Sequence, residues 1–329
     1  MSNFPFNQVA HALVQWFNEQ GKDYPWRRTE NPWSILVSEI MLQQTTIPTV
    51  LARYEAWMAQ FPEPKALAEA TEEEALRSWE GLGYYRRVRA LQAAAKTIME
   101  RHGGQFPRTA TDIRALPGVG DYTTGAVLSF AYNEPAPLVD ANVARVFSRL
   151  FNYTQPVDTP SGQKWLWAMA AKMLHQSQPR AYNSALMELG QSHCSGGIPS
   201  CILCPVREWC QATKPEELPI KSRRMQLTAV EHHDILCIVG QSILLEKQAG
   251  GKRHEGMYRL PRRTAAHTAG LSLLMKQKYS ITRYKVTRYL YQETDAAPIN
   301  GEEFIPLEEL ERLPLASPDR KCLHKVLPR

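Results

Sequence analysis

Four of the six cysteines fall within 17 residues, spaced Cys194-x6-Cys201-x2-Cys204-x5-Cys210. A disulfide framework scatters its cysteines and usually serves a smaller secreted chain, so this clustering points to metal ligation by thiolates. Four thiolates hold either a structural zinc or a 4Fe–4S iron–sulfur cube. Zinc ribbons usually carry two Cys-x2-Cys knuckles, and this chain has one. Cys237 and Cys322 stand alone and read as ordinary core or surface thiols.

Two carboxylates and a glycine turn are the other residues with chemistry in them. Glu39 lies in Ser38-Glu39-Ile40-Met41-Leu42-Gln43-Gln44-Thr45, an acid among apolar residues, where a helix-surface glutamate is the plain alternative. Asp140 precedes a helical run and suits a helix N-cap. In Leu116-Pro117-Gly118-Val119-Gly120, two glycines two apart allow a tight turn with outward backbone N–H groups. At the start of the next helix such groups bind a phosphate without reading sequence, although the turn alone reads equally well as a helix–helix connection.

These residues need a scaffold, and the chain from about 5 to 190 supplies short helices joined by Gly- and Pro-marked turns. Phe6, Val9, Leu13, Trp16 and Phe17 recur at helical spacing, as do Val88, Leu91, Ala95 and Ile98, and again Trp165, Met169 and Met173. All of these stripes read as packing. Residues 211–224, with Pro215 and Pro219 and no sustained apolar period, read as a linker. Beyond them Asp234–Leu245 and Arg283–Gln292 have strand-like composition, which predicts a smaller mixed α/β domain. The expected division is therefore 1–210, 211–224 and 225–329. Charge in the last part is segregated: Lys252–Arg288 holds ten Lys or Arg against Glu255 alone, and Glu293–Glu311 holds seven acids and no base. The basic run is either a solvated surface or a stripe facing phosphate. A net charge of +6 suits a polyanionic partner without demanding one. No apolar run approaches a membrane span and no secretory leader pattern opens the chain, so the expectation is a cytoplasmic protein, nucleoid-associated if bacterial.

The cysteine spacing, the hairpin and the stretch Val139-Asp140-Ala141-Asn142-Val143-Ala144-Arg145-Val146 about twenty residues beyond it together resemble one family. It is the MutY-type branch of the endonuclease III-like, helix-hairpin-helix Gly/Pro-Asp glycosylases, and the likeness covers roughly residues 5–225. The resemblance implies a mainly α, two-lobed helix-hairpin-helix glycosylase fold with a 4Fe–4S loop, followed by a C-terminal α/β Nudix-like domain. It implies a monomeric enzyme that removes adenine mispaired with 8-oxoguanine or guanine from double-stranded DNA, hydrolysing the N-glycosidic bond without cutting the strand. Such a reaction needs an acid to protonate the leaving base and a carboxylate to stabilise an oxocarbenium-like sugar. The family pattern gives these roles to Glu39 and Asp140. Tyr122 stands where the lyase branch has a Schiff-base lysine, and its expected role is a hydrogen bond to Asp140, with Asn142 a polar partner beside it. Gln44 and Tyr84 match residues that fill and wedge the base stack, Arg27 a polar residue near the base pocket, and Gly118 and Gly120 the backbone grip. The four clustered cysteines match the cluster ligands, and Arg207 is placed to approach phosphate.

The chain also departs from the pattern. It has no intact Nudix box and no Phe-Ser-His reading loop; the corresponding stretch is Ile281-Thr282-Arg283-Tyr284, and Ser184 stands where the family commonly has Gln or Glu. Thr282 and Arg283 therefore either read a guanine-type base by another contact or discriminate 8-oxoguanine poorly. Three alternatives remain: a glycosylase with another target or opposite base, thymine mismatches included; an endonuclease III-like pyrimidine glycosylase with lyase activity; and a non-catalytic DNA-binding cluster protein.

Overall fold

The computed structural model describes residues 4–222, 227–249, 255–281, 283–299 and 301–327. Helices come first: α1 (Phe6–Gln20), α2 (Pro32–Leu42), α3 (Ile47–Gln60), α4 (Pro64–Glu69), α5 (Glu72–Ser78), α6 (Arg86–His102), α7 (Ala110–Arg114), α8 (Asp121–Tyr132), α9 (Ala141–Leu150), α10 (Pro160–Met173) and α11 (Pro179–Gln191). Strands follow: β1 (Thr228–Leu236), β2 (Ile238–Val239), β3 (Ser242–Lys247), β4 (Tyr258–Arg259), β5 (Arg262–Arg263), β6 (Ser272–Ile281), β7 (Tyr284–Gln292) and β8 (Glu302–Pro306), with α12 (Ser317–Val326) last. The chain packs as two units, 1–68 with 93–224, and 69–92 with 225–329. This grouping differs from the linear division, because 69–92 joins the C-terminal unit; there Arg320 pairs with Glu80 at 2.8 Å.

The helical unit is built around the predicted stripes. Val9 and Leu13 of α1, Phe147 of α9, Met169 and Met173 of α10 and Leu186 and Leu189 of α11 share one buried cluster. Helix α2 is different. Asn31 caps it by accepting the N–H groups of Trp33 and Ser34 at 2.9 and 3.2 Å, with Pro32 at the first helical position. Every residue from Trp33 to Met41 is then buried, with α3 and α8 packed against the helix. A helix enclosed on all sides has no solvent face, so Glu39 is inside by position. The expected linker is tied down rather than free: Gln211 N–H donates to Leu150 O at 3.0 Å, and Ser222 N–H to Asp158 at 2.8 Å.

In the second unit β1 and β7 run parallel at the centre of a four-stranded sheet of order β5-β1-β7-β6, with β6 antiparallel at one edge. A second sheet joins β2, β3 and β4, with β8 pairing β3. The strand-like run 234–245 is two segments, since Gly240 turns the chain with φ 58° between β2 and β3. Leu290 of the first sheet, Ile243 and Ile305 of the second and Leu323 of α12 share the core.

Candidate active site

Helices α2, α8 and α9 bring three of the predicted residues together. The Tyr122 phenol, at the start of α8, donates to Glu39 Oε2 at 2.7 Å. Glu39 is only 4% exposed. Burial pushes its carboxyl up to about 7; the Tyr122 hydrogen bond opposes the shift, the Asp140 charge adds to it, and the Arg27 charge opposes it. A carboxyl with this midpoint is substantially protonated at neutral pH, the state a general acid needs.

Asp140 is both an N-cap and a half-buried charge. Its Oδ1 accepts the Val143 N–H at 2.7 Å, capping α9, and its Oδ2 accepts Asn142 Nδ2 at 2.8 Å. Burial raises its carboxyl, while the bonds from Val143 and Asn142 and the charge of Arg145 oppose the rise. The phenol of Tyr122 was expected on Asp140, and that expectation is corrected: the hydrogen bond goes to Glu39. Both Asp140 oxygens already have donors, whereas the Glu39 carboxyl, enclosed in α2, takes the phenol. Glu39 and the neighbouring Asp140 charge together hold the phenol well above its ordinary range, after burial itself, so it remains a donor.

Asn142 is held in turn from both sides. Its Oδ1 accepts Arg145 Nη2 at 2.8 Å, and Arg145 Nε donates to Cys194 O at 2.8 Å. Gly190 of α11 lies against Asn142 so closely that a Cβ there would sit 2.6 Å from the Asn142 Cβ, which explains a glycine inside a helix. Arg27 lies within electrostatic reach of Glu39, but its guanidinium is committed to Glu188, which is 3% exposed, and lies over the rings of Phe17 and Tyr24 at 5.0 and 4.8 Å. The sequence reading missed Glu188 and Arg145. Arg145 follows Asn142 by three residues, the spacing at which helical side chains meet, and that was the available signal.

The predicted hairpin joins α7 to α8. Gly118 has φ 77°, a conformation that demands glycine, and Gly120 is the N-cap position of α8. Arg114 clamps the turn, donating to Val119 O at 3.0 Å and pairing with Asp121 at 2.6 Å.

Residues 37–164 match the model of the HhH-GPD superfamily of base excision DNA repair proteins. That stretch of the chain is similar to the HhH-GPD superfamily. It is 38% identical over 215 residues to a human adenine DNA glycosylase, covering 63% of this chain and 39% of that protein. It is 39% identical over 199 residues to the adenine DNA glycosylase of Mycobacterium tuberculosis, covering 60% and 65%. The chain thus spans less than two thirds of these relatives' length. Among solved structures, a thermostable thymine-DNA glycosylase superposes with a TM-score of 0.59 at 28% identity, over 64% of this chain and 97% of that one. A trapped endonuclease III–DNA intermediate shares the fold, with a TM-score of 0.53 at 23% identity over 63% and 95%. Over about 64% of the chain the fold is thus endonuclease III-like, and the chain carries a sheet region besides.

The other predicted residues fall in distinct places. Gln44, exposed just after α2, and Tyr84, 39% exposed, both have positive φ, 58° and 49°. Non-glycine residues seldom adopt that conformation, at a cost on the order of 1–2 kcal/mol, and it marks loops whose shape matters. Arg87 braces the second loop by donating to Leu82 O and Gly83 O at 2.8 and 3.0 Å, with its guanidinium 5.6 Å from the Tyr84 ring. Arg283 is exposed at the β6–β7 turn, its guanidinium over the Tyr284 ring at 5.2 Å; Thr282 lies outside the described residues. Ser184 is buried in α11.

Cys204 lies within electrostatic reach of Cys194, Cys201 and Cys210. Burial pushes the Cys204 thiol up to about 11, and negative charge on Cys194, Cys210 and Cys201 adds to that rise. Buried Arg149, one helical turn beyond Arg145, pins the loop by donating to Pro215 O at 2.7 Å, Ser195 O at 2.8 Å and Gly197 O at 3.0 Å, with Cys194 Sγ 3.4 Å away. Among the described residues no three His, Cys, Asp or Glu side chains converge tightly enough to hold a single ion.

Proposed function

We propose that this protein is a monofunctional adenine DNA glycosylase of base excision repair, acting on adenine mispaired with guanine or 8-oxoguanine in double-stranded DNA. One observation carries the reading: a buried glutamate with its carboxyl near 7 stands beside a half-buried carboxylate that has two fixed donors. Glu39 protonates the leaving adenine, and Asp140 stabilises the positive charge developing on the sugar. Tyr122 orients the acid through its hydrogen bond; lacking an amine, it cannot form a Schiff base, so strand cleavage does not follow. The base reaches Glu39 only after leaving the duplex. Exposed Gln44 and Tyr84, on backbone of unusual conformation, suit the filling and wedging of the stack. The Gly118–Gly120 turn suits a sequence-blind hold on phosphate.

The four-thiol loop supports a 4Fe–4S cluster held by Cys194, Cys201, Cys204 and Cys210. The spacing Cys194-x6-Cys201-x2-Cys204-x5-Cys210 has one Cys-x2-Cys knuckle where a zinc ribbon usually has two, which favours the cluster. Bound, the cluster would supply a structural clasp, and no step of the hydrolysis passes through it. The C-terminal unit, with its mixed sheets and closing helix, supports a Nudix-like reading of the opposite base, with Arg283 at the turn. A cytoplasmic or nucleoid location follows from this substrate.

The test is single-turnover base release from duplexes pairing A, T or C with G or 8-oxoguanine. Release of adenine alone, with no adduct trapped by borohydride, is expected. Release of thymine or a pyrimidine lesion instead, or a trapped covalent adduct, would overturn the reading. Iron and sulfide in equal amounts, without zinc, are expected in the purified protein.

A further inference from the structure

The basic run Lys252–Arg288 is sorted by the fold into two populations. Lys252 and Arg253 lie outside the described residues. The arginines are spent internally: Arg259 pairs with Glu246 at 2.8 Å, Arg262 with Asp234 at 3.0 Å, Arg263 with Glu302 at 2.5 Å, and buried Arg288 with Asp234 and Asp319 at 2.7 and 2.8 Å. Arg283 at the turn lies over Tyr284. Lys276, Lys278 and Lys285 are all exposed, and among the described residues none has an ion-pair partner.

Strand register puts these three lysines on one face. Lys276 pairs opposite Tyr289, Lys278 opposite Thr287, and Ser280 opposite Lys285. Side chains alternate along a strand, so Gln277 and Tyr279, with Arg288 and Val286 opposite them, point the other way, toward α12 and the core. Lys276 and Lys278 are rooted about 7 Å apart along β6. Lys278 and Lys285 are diagonal neighbours at about 7–8 Å. The result is an evenly spaced row on the rim of the sheet, ending beside the β6–β7 turn. Thr287 and Ser280 add hydroxyl donors, and the Tyr289 ring lies 4.9 Å from the Lys276 ammonium. The nearby acid, Glu231 on β1, already accepts the Tyr289 hydroxyl at 3.2 Å.

We propose that this row is a phosphate-tracking surface: Lys276, Lys278 and Lys285 grip the sugar–phosphate backbone of one strand of duplex DNA leading to the β6–β7 turn. It rests on the reading that duplex DNA is the substrate. The spacing of the ammonium roots is of the order of the separation of neighbouring phosphates on one strand, and lysine serves phosphate as a point charge. The contact reads no sequence and aligns the C-terminal unit along the strand.

Each neutralised phosphate contributes about 0.9 to the slope of log Kd against log salt. The test uses the full chain and a duplex containing a central A opposite 8-oxoguanine, with affinity measured by fluorescence anisotropy across a salt series. The variant Lys276→Gln/Lys278→Gln/Lys285→Gln is expected to bind more weakly and to lower the slope by about 2 to 3. Lys321→Gln, on the exposed side of α12 across the sheet, is expected to leave both unchanged. An unchanged slope in the triple variant, or an equal fall in the Lys321 control, overturns the proposal. Wild-type protein that binds duplex but releases no adenine removes the excision reading and leaves the lysine row standing. Normal excision with an unchanged slope removes the row alone.

Discussion

Replacing Tyr122 with Phe removes one oxygen and its hydrogen bond to Glu39 while keeping the ring that packs at the start of α8. That bond favours the charged carboxylate, so its loss must raise the Glu39 midpoint above its present value of about 7. A hydrogen bond to a charged group contributes about 1.5–3 kcal/mol. The phenol also bonds the neutral acid, so roughly half of that separates the two protonation states, about one pH unit. In the proposed function Glu39 acts in its protonated form; the wild-type rate should therefore fall about tenfold per pH unit above pH 7, and the variant's fall should begin about one unit later. Whatever constant loss the mispositioned acid causes, the ratio of variant to wild-type rate should climb about tenfold between pH 6 and pH 9. Single-turnover adenine release at saturating enzyme reads this ratio. A ratio that stays flat, or declines toward alkaline pH, would show that Glu39 is not the titrating acid or that Tyr122 does not hold it.

Glu39→Gln should abolish adenine release yet stabilise the fold in alkaline solution. The folded carboxyl titrates near 7 against 4.5 when unperturbed, so its contribution is whole below pH 4.5 and is lost as pH rises through 7. About 2.5 units correspond to roughly 3 kcal/mol by pH 8, a gain that urea unfolding at pH 8 should show and that should vanish near pH 4.5. Asp140→Asn keeps an N-cap of equal rank but removes the anion; a loss of at least about a hundredfold in single-turnover rate is expected, with a Tm change of only a few degrees, and retained activity would exclude the sugar-stabilising role. Arg149→Leu leaves the carbonyls of Ser195, Gly197 and Pro215 without their common donor, and the purified variant should carry less iron per chain than wild type. Equal iron content would show that the guanidinium is not what holds the loop.

Much of the helical unit was legible because its stripes are periodic: Val9, Leu13, Met169 and Met173 were read as packing and are buried together. Glu39 and Asp140 were legible as a pair only through motif resemblance, since each has an ordinary local reading, and Asp140 indeed caps α9. Partner choice was not legible. Whether Tyr122 bonds Glu39 or Asp140 depends on which carboxylate already has donors, and that follows from the turn geometry at Asn142 and Val143 rather than from spacing. The paired arginines were hidden for the same reason. Composition counts Arg262 and Lys276 alike, yet one lies across from Asp234 on a neighbouring strand and the other points off the rim. The grouping of 69–92 with the C-terminal unit includes the Glu80–Arg320 pair, 240 residues apart, which no local pattern announces.

Two neighbouring carboxylates held away from bulk water repel, and a site that needs one neutral and one charged must decide which is which. Here the decision lies in the kind of donor each receives. Asp140 has a backbone N–H fixed by α9 and an amide, Asn142, that Arg145 holds from behind; none of these gains or loses a proton at ordinary pH. Glu39 has a single phenol, against nearly complete burial in an apolar helix. Protonation therefore falls on Glu39, and the Asp140 charge reinforces that choice. Adding a second donor to Glu39 would lower its midpoint and impair the acid, whereas removing Asn142 would let Asp140 compete for the proton. Asn142→Leu is thus expected to broaden the alkaline limb as well as to slow release, a signature that simple loss of packing does not produce.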